Sequence, residues 1–384
     1  ACDVVNIQLK SAARVQIGPA NVVSGNTEKG IQVFGTASVG TTVRLNFVGT
    51  DRGGDFAIPN GKGIEISAGP GILVEDNVAS GNTTNGILVY GPNAIGTVLV
   101  GNKVGVSAAG DRAIPNGQDG ILVSGGARDA VVGPANTVSG NGAAGILVYD
   151  PVGTTSVLGN FVGTDPAGRL DLGNQGAGIS ISGGGNGVAV NGNVVSGNAA
   201  AGLQLGGGSL ATHSLSITGN LIGVGLDGAS PIPNDTAGVS VGSGTTSIID
   251  IHGNVVSGNR ALGFSLHACV GIDIRGNAIG VDLTRSLAVP NGSHGIQLSG
   301  DARGNRIFDG NVISGNTRNG IAVYGGRQND FFDNAIGVDA TRSIAIPNGE
   351  AGVTIGTASV ENVVGPDNTI SGNGTDGVLL GTGA

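Results

Sequence analysis

The sequence predicts an all-β solenoid. Three observations carry that prediction: a repeat running the length of the chain, a Gly-rich composition without helical patterning, and short alternating runs between turn residues. The chain has 384 residues, and its 76 Gly and 13 Pro amount to about 23 %, just under the range that marks low complexity. Hydrophobic residues are 39 % and charged residues only 12 %, so neither low hydrophobicity nor charge repulsion keeps the chain unfolded. Aromatics are 3 %, Met and Trp are absent, and no apolar run approaches the roughly 18 residues of a spanning helix. A core of large rings and a membrane-inserted helix are both excluded. Leu, Lys and Glu are too sparse at helical spacing to support a helical protein.

The repeat sets the order of the elements. A string N-x-[VI]-S-G-N, or a near variant, begins at Asn21, Asn77, Asn136, Asn193, Asn254, Asn311 and Asn368. A second string, N-x-[IV]-G, begins at Asn46, Asn102, Asn160, Asn220, Asn277 and Asn334, and the two alternate without exception. Each is followed by a G-I-x-V-like run, as in Gly86-Ile87-Leu88-Val89 and Gly178-Ile179-Ser180-Ile181. From Asn21 to Asn26 the first type spans 5 residues, and from Asn46 to Asn60 the second spans 14, so every second unit carries a nine-residue insert.

Units of 23–27 and 31–34 residues follow, each with three short alternating runs. Alternation predicts strands with one buried face. Three such strands per unit make one coil of a parallel β-helix, and Ile31, Val33, Ile87, Val89, Ile146, Val148, Ile321 and Val323 are expected on its buried side. About 13 coils stacked at roughly 4.8 Å give a rod of roughly 60 Å. Asn and Gly at fixed corner positions fit the left-handed conformation of tight turns.

On these motifs the chain resembles the bacterial right-handed parallel β-helix repeat proteins of the secreted and cell-surface type, whose fold is shared with pectate lyases and polygalacturonases. The resemblance covers essentially the whole chain. It implies a single-stranded right-handed parallel β-helix (β-solenoid) over 1–384 as a single domain, with short coils alternating with coils that carry the insert. It implies no one activity, because many functions share the scaffold.

The family's catalytic strings are missing. Polygalacturonases carry N-T-D, D-D, G-H-G and R-I-K, and the nearest strings here are Ser293-His294-Gly295 and Asp273-Ile274-Arg275. The arginine motifs of the lyases and the G-G-x-G-x-D calcium repeat do not occur. With no C-x-x-C or H-E-x-x-H, and four His scattered at 213, 252, 267 and 294, no metal site is expected. Cys2 and Cys269 lie roughly 40 Å or more apart in such a rod, beyond disulfide reach.

A net charge of −9 and a pI near 4.8 argue against nucleic acid and anionic membranes as partners. The absence of Met indicates that the chain does not start at its own start codon, so a mature product or a fragment is expected. Neither end carries a polar cap. An uncapped subunit of a larger assembly, with possible end-to-end self-association, is therefore also expected.

Three outward rows stand out. The residue after the G-I-x-V run in the short coils is Phe34, Tyr90, Tyr149, Gly206, His267 and Tyr324, with Ser67, Ser124, Ser182 and Ser299 in longer coils. Rings about every two coils, roughly 10 Å apart, could stack sugars, or simply cover small serines and shield the sheet. The inserts form the second row, with Asp51, Asp165, Asp282 and Asp339 near their starts. These are turn-forming carboxylates, with calcium the alternative. The third row precedes the landmark Asn, where Asp250, His252, Asp273, Arg275 and Asp309 form one patch on three coils, with Phe308 taken as inward. Two stacked carboxylates beside a His and an Arg could do acid–base work on a polysaccharide, or form an ion-pair ladder.

The uniform repeat favours an extracellular or cell-surface structural or binding rod whose partner is a polysaccharide or another surface. A polysaccharide lyase or glycoside hydrolase using the patch is the first alternative, and a self-assembling extracellular filament subunit the second. No cofactor is expected.

Overall fold

Three strands per coil, each pairing in parallel with its counterpart in the next, build the architecture. The computed structural model describes residues 5–184, 187–206, 214–245 and 249–381. Cys2 and His213 lie outside these. The described residues form strands and no helix, and the chain divides into two units, Ala1–Ala199 and Ala200–Ala384.

In the N-terminal unit the first sheet runs through Val5–Lys10, Lys29–Phe34, Lys62–Ile66, Ile87–Tyr90, Ile121–Ser124, Ile146–Tyr149 and Ile179–Ser182. In the C-terminal unit it runs through Leu203–Leu205, Ala237–Val241, Leu262–His267, Ile296–Ser299, Ile321–Tyr324, Val353–Ile355 and Val378–Leu380. The second sheet holds the two-residue landmark strands, such as Val194–Val195 and Val255–Val256. The third holds the strands entering each landmark, such as Val98–Val100 and Ile272–Arg275. A chain that leaves a sheet, crosses two others and returns in parallel beside its previous strand does so right-handedly as a rule. This is the right-handed parallel β-helix that the sequence predicts.

Register confirms the inward columns. Ile31, Ile64, Ile87, Ile121, Ile146 and Ile179 pair in succession and are completely buried. Val239, Phe264, Ile296, Ile321 and Val353 do the same in the C-terminal unit. β-branched side chains suit this geometry, because their stiff χ1 stacks like on like between strands.

The corner asparagines differ from expectation. None has a positive φ; the left-handed corner positions are filled by Gly, Asp, Ala and a few others. The asparagines instead turn inward and form two amide ladders. Along one, Asn46, Asn77, Asn102, Asn136 and Asn160 are each 0–1 % exposed, and each Nδ2 donates to the Oδ1 above at 2.9–3.0 Å. The second runs through Asn60, Asn82, Asn116, Asn141 and Asn174. Backbone N–H groups also donate to these oxygens, and Nδ2 groups to carbonyls, as in Asn102 to Val74. The amide carries both a donor and an acceptor, so it satisfies backbone groups that a buried corner would otherwise strand. Gly is required where these corners pack: at Gly49, with φ 88°, a Cβ would lie 2.3 Å from the Ser80 carbonyl oxygen and the Asn82 amide oxygen.

Candidate functional site

On the outward face of the third sheet in the C-terminal unit, Asp250 pairs with Asp273 and His252 with Arg275, as the repeat implied. The stacked carboxylates do not face each other unshielded. Arg275 donates from Nε to Asp250 Oδ1 at 3.0 Å and from Nη2 to Oδ2 at 2.7 Å. Arg306, one coil further on, grips Asp273 in the same two-pronged way, with Nε to Oδ1 at 2.8 Å. Such forks are the strongest geometry for a guanidinium and a carboxylate. His252 Nδ1 stands 3.2 Å from Asp250 Oδ2 and 3.4 Å from Arg275 Nη2, so with a hydrogen on Nδ1 it donates to Asp250 and without one it accepts from Arg275.

Burial pushes the Asp250 carboxyl up, but the Arg275 hydrogen bonds and the His252 charge outweigh it and hold the group below its ordinary value. The Asp273 hydrogen bonds raise Arg306, as the Asp250 bonds raise Arg275. A general acid on this fold would need a carboxyl that keeps its proton near neutral pH. Asp250 is the opposite, an anion locked to a cation.

Asp309 and Phe308 fall in different places from those read in the sequence. Arg275 pairs with Phe308, and the inward residue of that strand is Ile307, which is fully buried. The corner before Asn311 has two residues, Asp309 and Gly310, where the preceding coil has Gly276 alone. Counting back from Asn311 therefore lands one residue out. Asp309 turns the corner with φ 56°, and Phe308 faces outward.

Phe332 continues the Phe308 column, and the two rings stack with centroids 5.1 Å apart. Arg306 caps the pair, its guanidinium 5.1 Å from the Phe308 centroid. Beside them lies an open cleft of about 590 Å³ lined by Phe308, Asp309, Phe332, Asp333, Arg342 and Asp367. Arg342, from an insert, pairs with Asp333 and donates to the Asp367 carbonyl at 3.2 Å. Two aromatic faces bordered by fixed hydrogen-bonding groups are suited to an apolar ring with a polar rim. The reading of the sequence missed both rings; the two-residue corner at Asp309-Gly310 was the signal that could have found Phe308, and Phe332, two residues before Asn334, stood in the outward position of the row already.

The aromatic row on the first sheet is outward, with Tyr90, Tyr149 and Tyr324 exposed by 52, 46 and 40 %. Tyr90 and Tyr324 lean over glycines of the next coil instead of the serines: a Cβ at Gly125 would meet the Tyr90 ring at 2.4 Å, and one at Gly356 the Tyr324 ring at 2.8 Å. His267 lies likewise over Gly300, with Nδ1 3.2 Å from the Ser299 hydroxyl. Phe34 is half-buried, with Lys10 Nζ 5.8 Å from its centroid.

The insert carboxylates close their own turns. Asp51 Oδ1 accepts the N–H groups of Asp55 and Phe56 at 2.8 and 3.0 Å, and Asp282 and Asp339 accept the equivalent pairs. Asp339 also takes the Thr341 hydroxyl at 2.6 Å, and this bond, with the backbone ones, pulls its carboxyl down to about 2. Among the described residues no three His, Cys, Asp or Glu side chains converge as a metal site would require. Nor is any helix long and apolar enough to cross a membrane.

Comparison with known proteins gives one partial family match. The family described as Periplasmic copper-binding protein (NosD) matches residues 229–337. No curated protein sequence matches the chain. Among solved structures, the Dettilon tailspike protein (gp208) is 14 % identical with a TM-score of 0.49, covering 89 % of this chain and 62 % of that one. This chain thus spans less than two thirds of the tailspike's length. The A-module of the Azotobacter vinelandii mannuronan C-5 epimerase AlgE4 is 14 % identical with a TM-score of 0.48, over 90 % of this chain and 91 % of that one. The periplasmic alginate epimerase AlgG is 14 % identical with a TM-score of 0.47, over 98 % of this chain and 78 % of that one. The register of the three sheets establishes the β-helix independently of these likenesses.

Proposed function

We propose that the protein is a polysaccharide-binding β-solenoid that holds a glycan without cleaving it. The observation that carries this reading is the Phe308–Phe332 pair, stacked beside the cleft and next to carboxylates already clamped by Arg275 and Arg306. A sugar's apolar face packs on such rings while fixed polar groups meet its hydroxyls. Tyr90 and Tyr149 in the N-terminal unit supply a second aromatic surface of the same kind. Locked ion pairs stiffen the surface, which lowers the entropy lost on binding. The alternative, cleavage through Asp250 and Asp273, requires one of them to hold or accept a proton, and the Arg275 bonds work against that for Asp250.

Placement outside the cytoplasm, whether periplasmic, secreted or on the cell surface, is part of the proposal. The partial match to a family described as periplasmic supports it. Copper binding is not proposed. Within the matched segment His252 lies on the third sheet, His267 and His294 are associated with the first, and Cys269 is fully buried, where burial pushes its thiol up to about 12.

The test is binding of the protein to a polysaccharide panel by affinity electrophoresis, with product analysis on the same samples. Retardation without cleavage is expected, reduced at least about tenfold in affinity by Phe308→Ala with Phe332→Ala. Cleavage that disappears in Asp273→Asn would overturn the non-catalytic reading, and retardation by no polysaccharide would overturn the binding reading.

A further inference from the structure

A second polar centre lies on the first sheet of the C-terminal unit, around a histidine. His294 is 2 % exposed. Its Nδ1 lies 3.3 Å from the backbone nitrogen of Asn319, which can only donate, so Nδ1 is the acceptor and the ring proton sits on Nε2. No protein group bonds Nε2 among the described residues. The Asn319 side chain is used on every side: Nδ2 donates to Glu350 Oε2 at 2.9 Å, and Oδ1 accepts from Ala351 N–H and the Thr354 hydroxyl, both at 3.0 Å. Arg318 Nε donates to Glu350 Oε1 at 3.0 Å. The exposed Tyr324 ring stands edge-on to His294, centroids 6.0 Å apart.

Burial, then the nearby Arg318 charge, pulls His294 below its ordinary value against the opposing pull of Glu350, so the ring is neutral at neutral pH. Arg318 is matched by Glu350. The cluster therefore presents a fixed N–H donor, an exposed carboxylate–guanidinium pair and an aromatic face with no net positive charge. That combination suits hydroxyl groups on a ring and disfavours a carboxylate, which would find no unmatched cation.

We infer that His294, Arg318, Tyr324 and Glu350 form a binding subsite for a neutral pyranose unit, with Tyr324 as the stacking platform and His294 Nε2–H as a hydroxyl donor. The inference rests on the polysaccharide-binding reading and adds to it a further place of contact and a preference for uncharged sugar.

The experiment uses the whole chain against neutral polysaccharides (glucan, galactan, mannan and xylan preparations) and against polygalacturonate and alginate. Tyr324→Ala, Arg318→Ala and His294→Gln are compared with the Phe308→Ala, Phe332→Ala variant. The His294 Nε2 resonance of the unmodified protein is followed as oligosaccharide from the bound polymer is added. This second measurement keeps the test independent of whether His294→Gln folds. The expected result is binding to a neutral polymer, weakened at least about tenfold by Tyr324→Ala, with a shifted His294 signal and no competition from polygalacturonate or alginate. Neutral-polymer binding that is lost only in the Phe308 and Phe332 variant, with the His294 signal unmoved, overturns the subsite and leaves the general reading standing. Preference for the uronate polymers overturns the neutral-sugar assignment. Binding to none of the polymers overturns both readings.

Discussion

The outer face of the third sheet differs sharply between the two units although its inner face does not. In the N-terminal unit the outward column runs Gln16, Thr42, Leu73, Val98, Val131, Ser156 and Ala189, with Arg44 beside Glu75 as its ion pair. In the C-terminal unit the same column runs Ser216, Asp250, Asp273, Arg306, Asp330 and Val363, flanked by His252, Arg275 and Phe308. The inward residues are all fully buried and apolar: the aliphatics Val43, Val74, Leu99, Val132 and Val157 in one unit, and Ile251, Ile274 and Ile307 with one ring, Phe331, in the other. Packing inside a coil constrains volume and shape, so the inner column varies little. Outward positions pair with water and tolerate any chemistry, which is where recognition can be written.

The sharpest way to break this comparison is to exchange inner and outer rules within one strand. Ile274→Asp should destabilise the C-terminal unit by about 3–5 kcal/mol, since it buries a charge without a partner. Its neighbour Asp273→Asn should change stability by less than about 1 kcal/mol. Chemical denaturation of both variants checks this, and similar losses for the two would mean that the outer face is structural.

Next in size are the amide ladders, which both units share. Asn102→Leu and Asn277→Leu each leave a buried backbone N–H and side-chain amides of the neighbouring coils unpaired. Each should cost roughly 3 kcal/mol or more. Hydrogen exchange should show the loss centred on the altered coil, equal in the two units; a loss confined to one would show that the ladders are not equivalent.

A smaller change should run the other way. Thr97 is fully buried in the N-terminal unit, and its hydroxyl has no hydrogen-bond partner. Asn305 and Asn329, placed similarly at the start of third-sheet strands in the C-terminal unit, are bonded to one another at 2.8 Å. Thr97→Val should stabilise by about 1 kcal/mol, raising the thermal midpoint, because it removes a polar group that burial leaves unsatisfied. A lowered midpoint would mean that the hydroxyl is bonded in solution.

The least effect concerns acid. Asp250 has its folded pKa lowered below 3.8, so its stabilising contribution is complete above 3.8 and is lost as pH falls through the lower folded value. Because the pair is about one-third exposed, the contribution should stay under about 1 kcal/mol. In Arg275→Ala the Asp250 carboxyl should titrate at higher pH, as followed by carboxyl NMR. An unchanged titration would show that the fork is open in solution.

Much of this was legible in the chain itself. Alternation fixed Ile31 and Val33 as inward, and the spacing of landmark asparagines fixed the pairing of Asp250 with Asp273. The ruler failed where the corner before a landmark gained one residue, at Asp309-Gly310, and so hid Phe308. The role of the asparagines was also hidden. A residue that tolerates a left-handed corner and one that caps a buried corner with its side chain look identical in a repeat.

What the sequence alone determined is the coil: a period of Gly, Asn and β-branched residues leaves a chain of short parallel strands as the arrangement that buries every apolar stripe. What only the tertiary structure decided is which outward side chains meet. Arg275 reaches back to Asp250, Arg306 to Asp273, and Glu350 meets Asn319 beside His294, each across 25 to 33 residues of chain. Those contacts depend on side-chain reach between stacked strands about 4.8 Å apart, and on one-residue shifts at corners, neither of which a repeat pattern encodes.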